Sequence, residues 1–273
     1  MKKILGLLIA LIIATPAFAS VAVAPTKIEI NANKIKNNYY TTAIEIKGDS
    51  KVPMRFKAYP EYFTINERSE LVQIGKSDDV HNLSKRIKFV PSEFTVMQGK
   101  SQKLRINIAN INSLPDGESR AVLYIEDVNP KEINLETGRA GIGAQLIVKT
   151  RVGVPIYIDK GKFERKCEIE SLNLEKSKNG LYTNMKLVST GNSRIRYTAK
   201  AQIVEGKNLI DEYNLAPNVV GEKNYFISKD KVKTDKIKGA GEYTIRVIVS
   251  FYDENGKRKN ITKETLLKIQ GEM

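Results

Sequence analysis

The sequence predicts an all-β chain of two sandwich domains, and three observations carry the prediction. Runs of alternating apolar residues recur at roughly eight to twelve residues, turn residues separate them, and no stretch keeps a helical period. The clearest run is Gly143 to Ile158, GAQLIVKTRVGVPIYI, in which Ala144, Leu146, Val148, Val152, Val154 and Ile156 share one parity and Gln145, Lys149 and Arg151 take the other. Successive side chains of a strand point to opposite faces, so this pattern predicts one long, half-buried strand closing the first half. At 273 residues the chain is long enough to bury two separate cores.

Taken in order, residues 1–19 read as a secretory signal peptide: Lys2 and Lys3, an apolar run from Ile4 to Thr15, then Pro16 and the small-x-small signal Ala17-Phe18-Ala19. The run is too short for a membrane span, and no later segment is apolar for long enough to supply one. A mature chain starting at Ser20, outside the inner membrane and without a transmembrane anchor, is therefore expected. Strands follow at Val23–Ile30, Tyr39–Ile46, Met54–Tyr59 and Tyr62–Ile65, and the polar stretch 67–84 reads as a loop or irregular edge. The pattern resumes at Ile87–Val90, at Pro91–Val96 and, after the turn Gln98-Gly99-Lys100, at Lys103–Ile108, where Leu104, Ile106 and Ile108 share a face.

The charged stretch Asp159-Lys160-Gly161-Lys162 predicts a hinge, with a first domain over 20–158 and a second over 159–273. In the second, strands are expected at Cys167–Leu174, Leu181–Val188, Tyr197–Val204 and Tyr243–Tyr252. The last of these pairs with Lys263–Ile269 in a closing hairpin turned by Glu254-Asn255-Gly256.

Composition narrows the chemistry. One cysteine, Cys167, permits no intrachain disulfide and reads as a small buried hydrophobe. One histidine, His81, cannot build a triad or a histidine-rich metal site. No phosphate loop, nucleophile elbow or metal spacing occurs, so no enzyme, cofactor or metal is expected. The formal charge of +14 is scattered over both halves and interleaved with Asn and Glu, which reads as a solvated basic surface and not as a nucleic-acid site.

The order of the pieces is more informative than their periodicity. Phe89-Val90-Pro91-Ser92-Glu93-Phe94-Thr95-Val96 is followed by a glycine turn, then Gln102-Lys103-Leu104-Arg105-Ile106, then Leu114-Pro115-Asp116-Gly117-Glu118-Ser119, then a strand to Val128-Asn129-Pro130 and the long strand. This run resembles the N-terminal domain of the PapD-like periplasmic pilus-assembly chaperones of the chaperone/usher pathway. The loop is one residue shorter than the family's, and Gly117 stands where an arginine is usual.

The resemblance implies two immunoglobulin-like β-sandwich domains joined by a short hinge, in the periplasm. It further implies a chaperone that donates its long strand to the incomplete fold of fimbrial or pilus subunits before delivery to an outer-membrane usher. Ala144, Leu146 and Val148 would be the donated side chains, and Leu146 and Val148 would dominate at roughly 1.5–3 kcal/mol for each large aliphatic. The family anchors its client's C-terminal carboxylate on two basic residues. Lys27 matches the first; at the second, this sequence has Gly153, with Arg151 two residues earlier on the same face. An exposed apolar edge is also self-complementary, so a homodimer capping its own donor strand is compatible with the pattern. The alternative is an envelope scaffold or binding module of the same fold that donates no strand.

Overall fold

The computed structural model describes residues 21–129, 131–136 and 143–269, with side chains described outside 130–146. It is all-β and two-lobed. The first lobe contains β1 (Val21–Ala24), β2 (Ile28–Asn31), β3 (Tyr39–Gly48), β4 (Met54–Glu61), β5 (Phe63–Ile65), β6 (Leu71–Gln73) and β7 (Ile87–Val90). It continues with β8 (Glu93–Val96), β9 (Ser101–Ala109), β10 (Gly117–Asp127), β11 (Lys131–Glu136), β12 (Gly143–Val148) and β13 (Arg151–Lys160). The second lobe has β14 (Cys167–Ser177), β15 (Gly180–Ser189), β16 (Ile195–Glu205), β17 (Asn208–Val220), β18 (Tyr225–Lys231), β19 (Gly241–Tyr252) and β20 (Arg258–Ile269).

In the first lobe a sheet ordered β1-β3-β9-β7 faces a sheet ordered β2-β13-β10-β4-β8 across one core. Alternation sets the facing: Ile44 and Ile46 of β3 and Leu104, Ile106 and Ile108 of β9 point inward and are at most 1% exposed. Burying each contributes roughly 1.5–3 kcal/mol. The stretch expected as one strand at Val23–Ile30 is divided between the two sheets, β1 pairing with β3 and β2 running parallel to β13. Pro25 stands at the division, where it has no N–H to give a ladder.

β10 departs from alternation because both of its faces are covered. Ala121, Leu123 and Ile125 enter the main core, while Val122 and Tyr124 join Phe63, Ile65 and Tyr157 in a smaller cluster on the other side. The polar stretch expected as a loop supplies β6, which pairs with β5 beside that cluster.

The second lobe buries its own core between sheets ordered β14-β15-β18 and β17-β16-β19-β20. The closing hairpin forms as expected, from Tyr252 opposite Arg258 to Gly241 opposite Ile269. β17 and β18 escaped the sequence reading, since Asp211, Glu212, Asn214, Lys229 and Asp230 mask the few apolar positions. β13 extends to Lys160, into the segment expected to be the hinge.

Candidate functional site

The long strand expected at 143–158 is two strands. β10 and β13 pair antiparallel from Gly117 opposite Lys160 to Glu126 opposite Arg151, and β11 and β12 pair from Lys131 opposite Val148 to Glu136 opposite Gly143. Between those ladders one side has four residues and the other only Lys149 and Thr150, so the register changes there. The Asp127 N–H donates to the Thr150 carbonyl (2.9 Å), and the Val128 N–H donates to that of Arg55 (2.9 Å).

The result is a β10–β13 hairpin prolonged by β11 and β12. Among the described residues β12 pairs only with β11, and β13 is covered on its second side only from Ile156 to Asp159, by β2. Gly143–Val148 and Arg151–Pro155 therefore present one outer strand edge without a strand partner. The backbones of Ala144 and Leu146 pair with Leu135 and Ile133, and their side chains lie outside the described residues. Ile147 is 61% exposed and Val148 39%.

A cluster of charge and aromatic rings braces the hairpin's base. Glu126 accepts from Lys149 (2.6 Å), from Lys57 (3.2 Å) and from the Tyr59 hydroxyl. The Lys149 and Tyr59 hydrogen bonds outweigh a small burial cost and hold its carboxyl down to about 2. Arg151 lies over the Tyr124 ring at 4.0 Å and donates to the Tyr59 hydroxyl (3.4 Å) and to Gln73 Oε1 (3.3 Å).

Gly153 pairs with Tyr124. A Cβ there would come within 2.9 Å of Val122 Cγ2 and 3.0 Å of Tyr124 Cε1, so the ring occupies the space where the resemblance expects a cation. Lys27 precedes β2 by one residue, level with Pro155, and pairs with Glu29 at 2.9 Å. That places it four residues, ~13 Å, along β13 from Arg151. The structure does not bring Lys27 and Arg151 together; each has its own partners.

A second cluster joins the lobes. Glu118, 1% exposed, accepts from the Arg194 guanidinium and backbone N–H (3.2 Å) and from Arg120 (3.3 Å). Arg194 also reaches Glu29 (2.5 Å) and lies 3.6 Å over the Tyr157 ring. Arg120 donates to the Phe63 carbonyl (2.8 Å) and pairs with Glu222 through both terminal nitrogens. Asp159 accepts from Ser193 Oγ (2.6 Å) and Arg165 (2.5 Å).

Burial pushes the Glu118 carboxyl upward, but Arg194 and Arg120 more than offset it and keep it below the usual carboxylate range. For Asp159 burial wins, and its carboxyl is raised. Ser69 adds a further tie, its hydroxyl bonding both the Val219 carbonyl and N–H, and Asn224 donates to the Ile65 carbonyl (2.8 Å). Beside this joint lies a cleft of about 910 Å³ lined by Glu29, Arg165, Arg194, Arg196, Tyr252 and Arg258 among others.

Of these joint residues, the sequence reading singled out Glu118, in the loop motif, and Asp159, at the start of the charged hinge. Arg120 and Arg194 were missed because nothing local separates a buried arginine from a solvated one. Cys167 is half-buried in β14, and burial pushes its thiol up to about 12. Among the described residues no three His, Cys, Asp or Glu side chains gather as a metal site, and no helix is long and apolar enough to cross a membrane.

No family model matches the chain, and no curated protein sequence does. Among solved structures it is similar to the YadV chaperone, at 8% identity and a TM-score of 0.48, covering 90% of this chain and 100% of that one. It is also similar to the class 5 fimbriae chaperone CfaA, at 14% identity and a TM-score of 0.46, covering 92% and 99%. A third likeness is to the Salmonella enterica SafA pilin in complex with the SafB chaperone, at 11% identity and a TM-score of 0.44, covering 93% and 99%. TM-scores below one half at such identity leave the functional argument to the residues.

Proposed function

We propose that the chain is a periplasmic chaperone of the chaperone/usher type, built of two immunoglobulin-like sandwiches and exported on the signal peptide 1–19. The single observation that carries this reading is the outer edge of Gly143–Val148 and Arg151–Pro155, which has no strand partner among the described residues and lies on the stretch where apolar and polar residues alternate. A fimbrial subunit lacking its last strand exposes unpaired backbone groups and an apolar groove, the combination that drives aggregation. Adding this edge to the groove satisfies the backbone, and Ala144, Leu146 and Val148 fill the pockets, before the subunit passes to an outer-membrane usher.

The joint at Glu118 serves the same task by fixing the second lobe against the first. For Lys27 and Arg151 to receive the client's terminal carboxylate together, both must leave their present partners, Glu29 and Tyr59, and close the ~13 Å between them to form charge-assisted hydrogen bonds. A scaffold that donates no strand is the second reading, and Gly153 favours it, since Tyr124 fills the place of the second anchoring cation.

The test is a periplasmic pull-down of the mature protein with the Leu146→Asp variant alongside, read by mass spectrometry. Strand donation predicts small secreted subunits captured by the wild type and lost by the variant. Identical partners for both, or no such subunits, would move the assignment to the scaffold.

A further inference from the structure

The outward face of the β1-β3-β9-β7 sheet carries Lys47 on β3, Lys103 and Arg105 on β9 and Lys88 on β7, all exposed. Register lays them along one diagonal, with Lys47 opposite Ser101, Val90 opposite Arg105 and Lys88 opposite Asn107. Neighbours on such a diagonal stand about 7 Å apart, inside the Debye length of about 8 Å at physiological salt. Glu45, opposite Lys103, is the one carboxylate among the outward positions of these strands, and among the described residues none of the four cations forms an ion pair.

On the other sheets several of the exposed cations meet carboxylates. Lys186 and Lys229 meet Glu170 and Glu175 on β14-β15-β18; Lys200, Arg246 and Lys268 meet Glu212, Glu264 and Glu242 on the four-stranded sheet of the second lobe. On the five-stranded sheet Arg55 meets Glu93 and Lys57 meets Glu126. Like charges left uncompensated at short spacing repel one another, and a negative partner relieves that repulsion. Between the cations the outward residues are small or flat: Ala22, Ala24, Thr41, Ala43, Ser101 and Asn107. Val90 and Tyr39, the latter opposite Ala109 near the Lys88 end, are the bulky apolar side chains beside the diagonal, and they stand apart with no pocket between them of the kind a protein hot spot uses.

The geometry points to a docking face for an anionic lipid surface, with the long Lys and Arg stems carrying their charge to headgroup phosphates. The hairpin belongs to the opposite sheet, so a lobe seated this way keeps its outer strand edge free. The binding is weak, reversible and salt-sensitive, as four cations and one anion dictate.

Co-sedimentation of the mature protein with phosphatidylglycerol-rich vesicles, against pure phosphatidylcholine vesicles and over a salt series, tests it. The wild type is expected to bind the anionic vesicles and to be released by salt. Lys103→Glu/Arg105→Glu is expected to bind at least about tenfold more weakly. Lys207→Glu/Lys238→Glu, equal in net charge but placed on exposed turns of the second lobe, is expected to bind as the wild type does; circular dichroism checks that both variants fold. Equal losses in both variants, no binding by the wild type, or wild type that binds polyglutamate but not vesicles would each overturn the assignment.

Discussion

Glu29 is the residue at which the joint between the lobes meets solvent. Burial raises its carboxyl, but the hydrogen bonds from Arg194 and Lys27 more than offset this and hold it down to about 2, against an ordinary 4.5. A carboxylate whose folded value lies below its unfolded one adds stability above the unfolded value and loses it as pH falls through the folded one. The Glu29 contribution is therefore complete above about 4.5 and is lost on the way to about 2. Asp159 works in the opposite direction: with its carboxyl raised by burial, it costs stability as pH rises through that raised value. Thermal melts over the acid range are expected to show a declining limb that flattens in Glu29→Gln; an unchanged limb would place the acid sensitivity elsewhere.

At the scale of elements, the hairpin of β11 and β12 is an addition to the first lobe and not a support of it. Neither strand pairs outside the hairpin among the described residues, while β10 and β13 below are anchored in two cores. Replacing 131–148 by a short glycine-containing turn is expected to change stability in urea by no more than about 1 kcal/mol. The same variant is expected to lose capture of small secreted subunits in the pull-down. Capture that survived the deletion would assign client binding to another surface. In β13 the alternation was legible because each side chain reports its own face, Val154 and Ile156 being buried and Arg151 exposed. The break at Lys149 and Thr150 was not, because a register change depends on how many residues the opposing strand inserts.

For the molecule as a whole, two separate cores are coupled through a few buried ions. Removing Glu118 leaves Arg194 with only Glu29 and Arg120 with only Glu222 as carboxylates, a loss of up to about 3–5 kcal/mol for a broken buried pair. Calorimetry is expected to show one cooperative transition for the wild type and two for Glu118→Ala, as each lobe melts on its own core. A single transition in the variant would mean that the contacts of Ser69, Asn224 and the Phe63 cluster hold the lobes together unaided.

The all-β class, most strands of both lobes and the closing hairpin of the second were legible in the chain, since hydrophobic periodicity and turn residues act over a few neighbours. The sequence also marked Glu118. Long-range packing set the division of β1 and β2 between different sheets, the cover on both faces of β10 and the seat of Gly153 under Tyr124. The same holds for the partners of Glu118 and Lys27. Each of these depends on atoms far apart in the chain meeting at particular distances, and no local pattern of polarity encodes which arginine will be buried against which carboxylate.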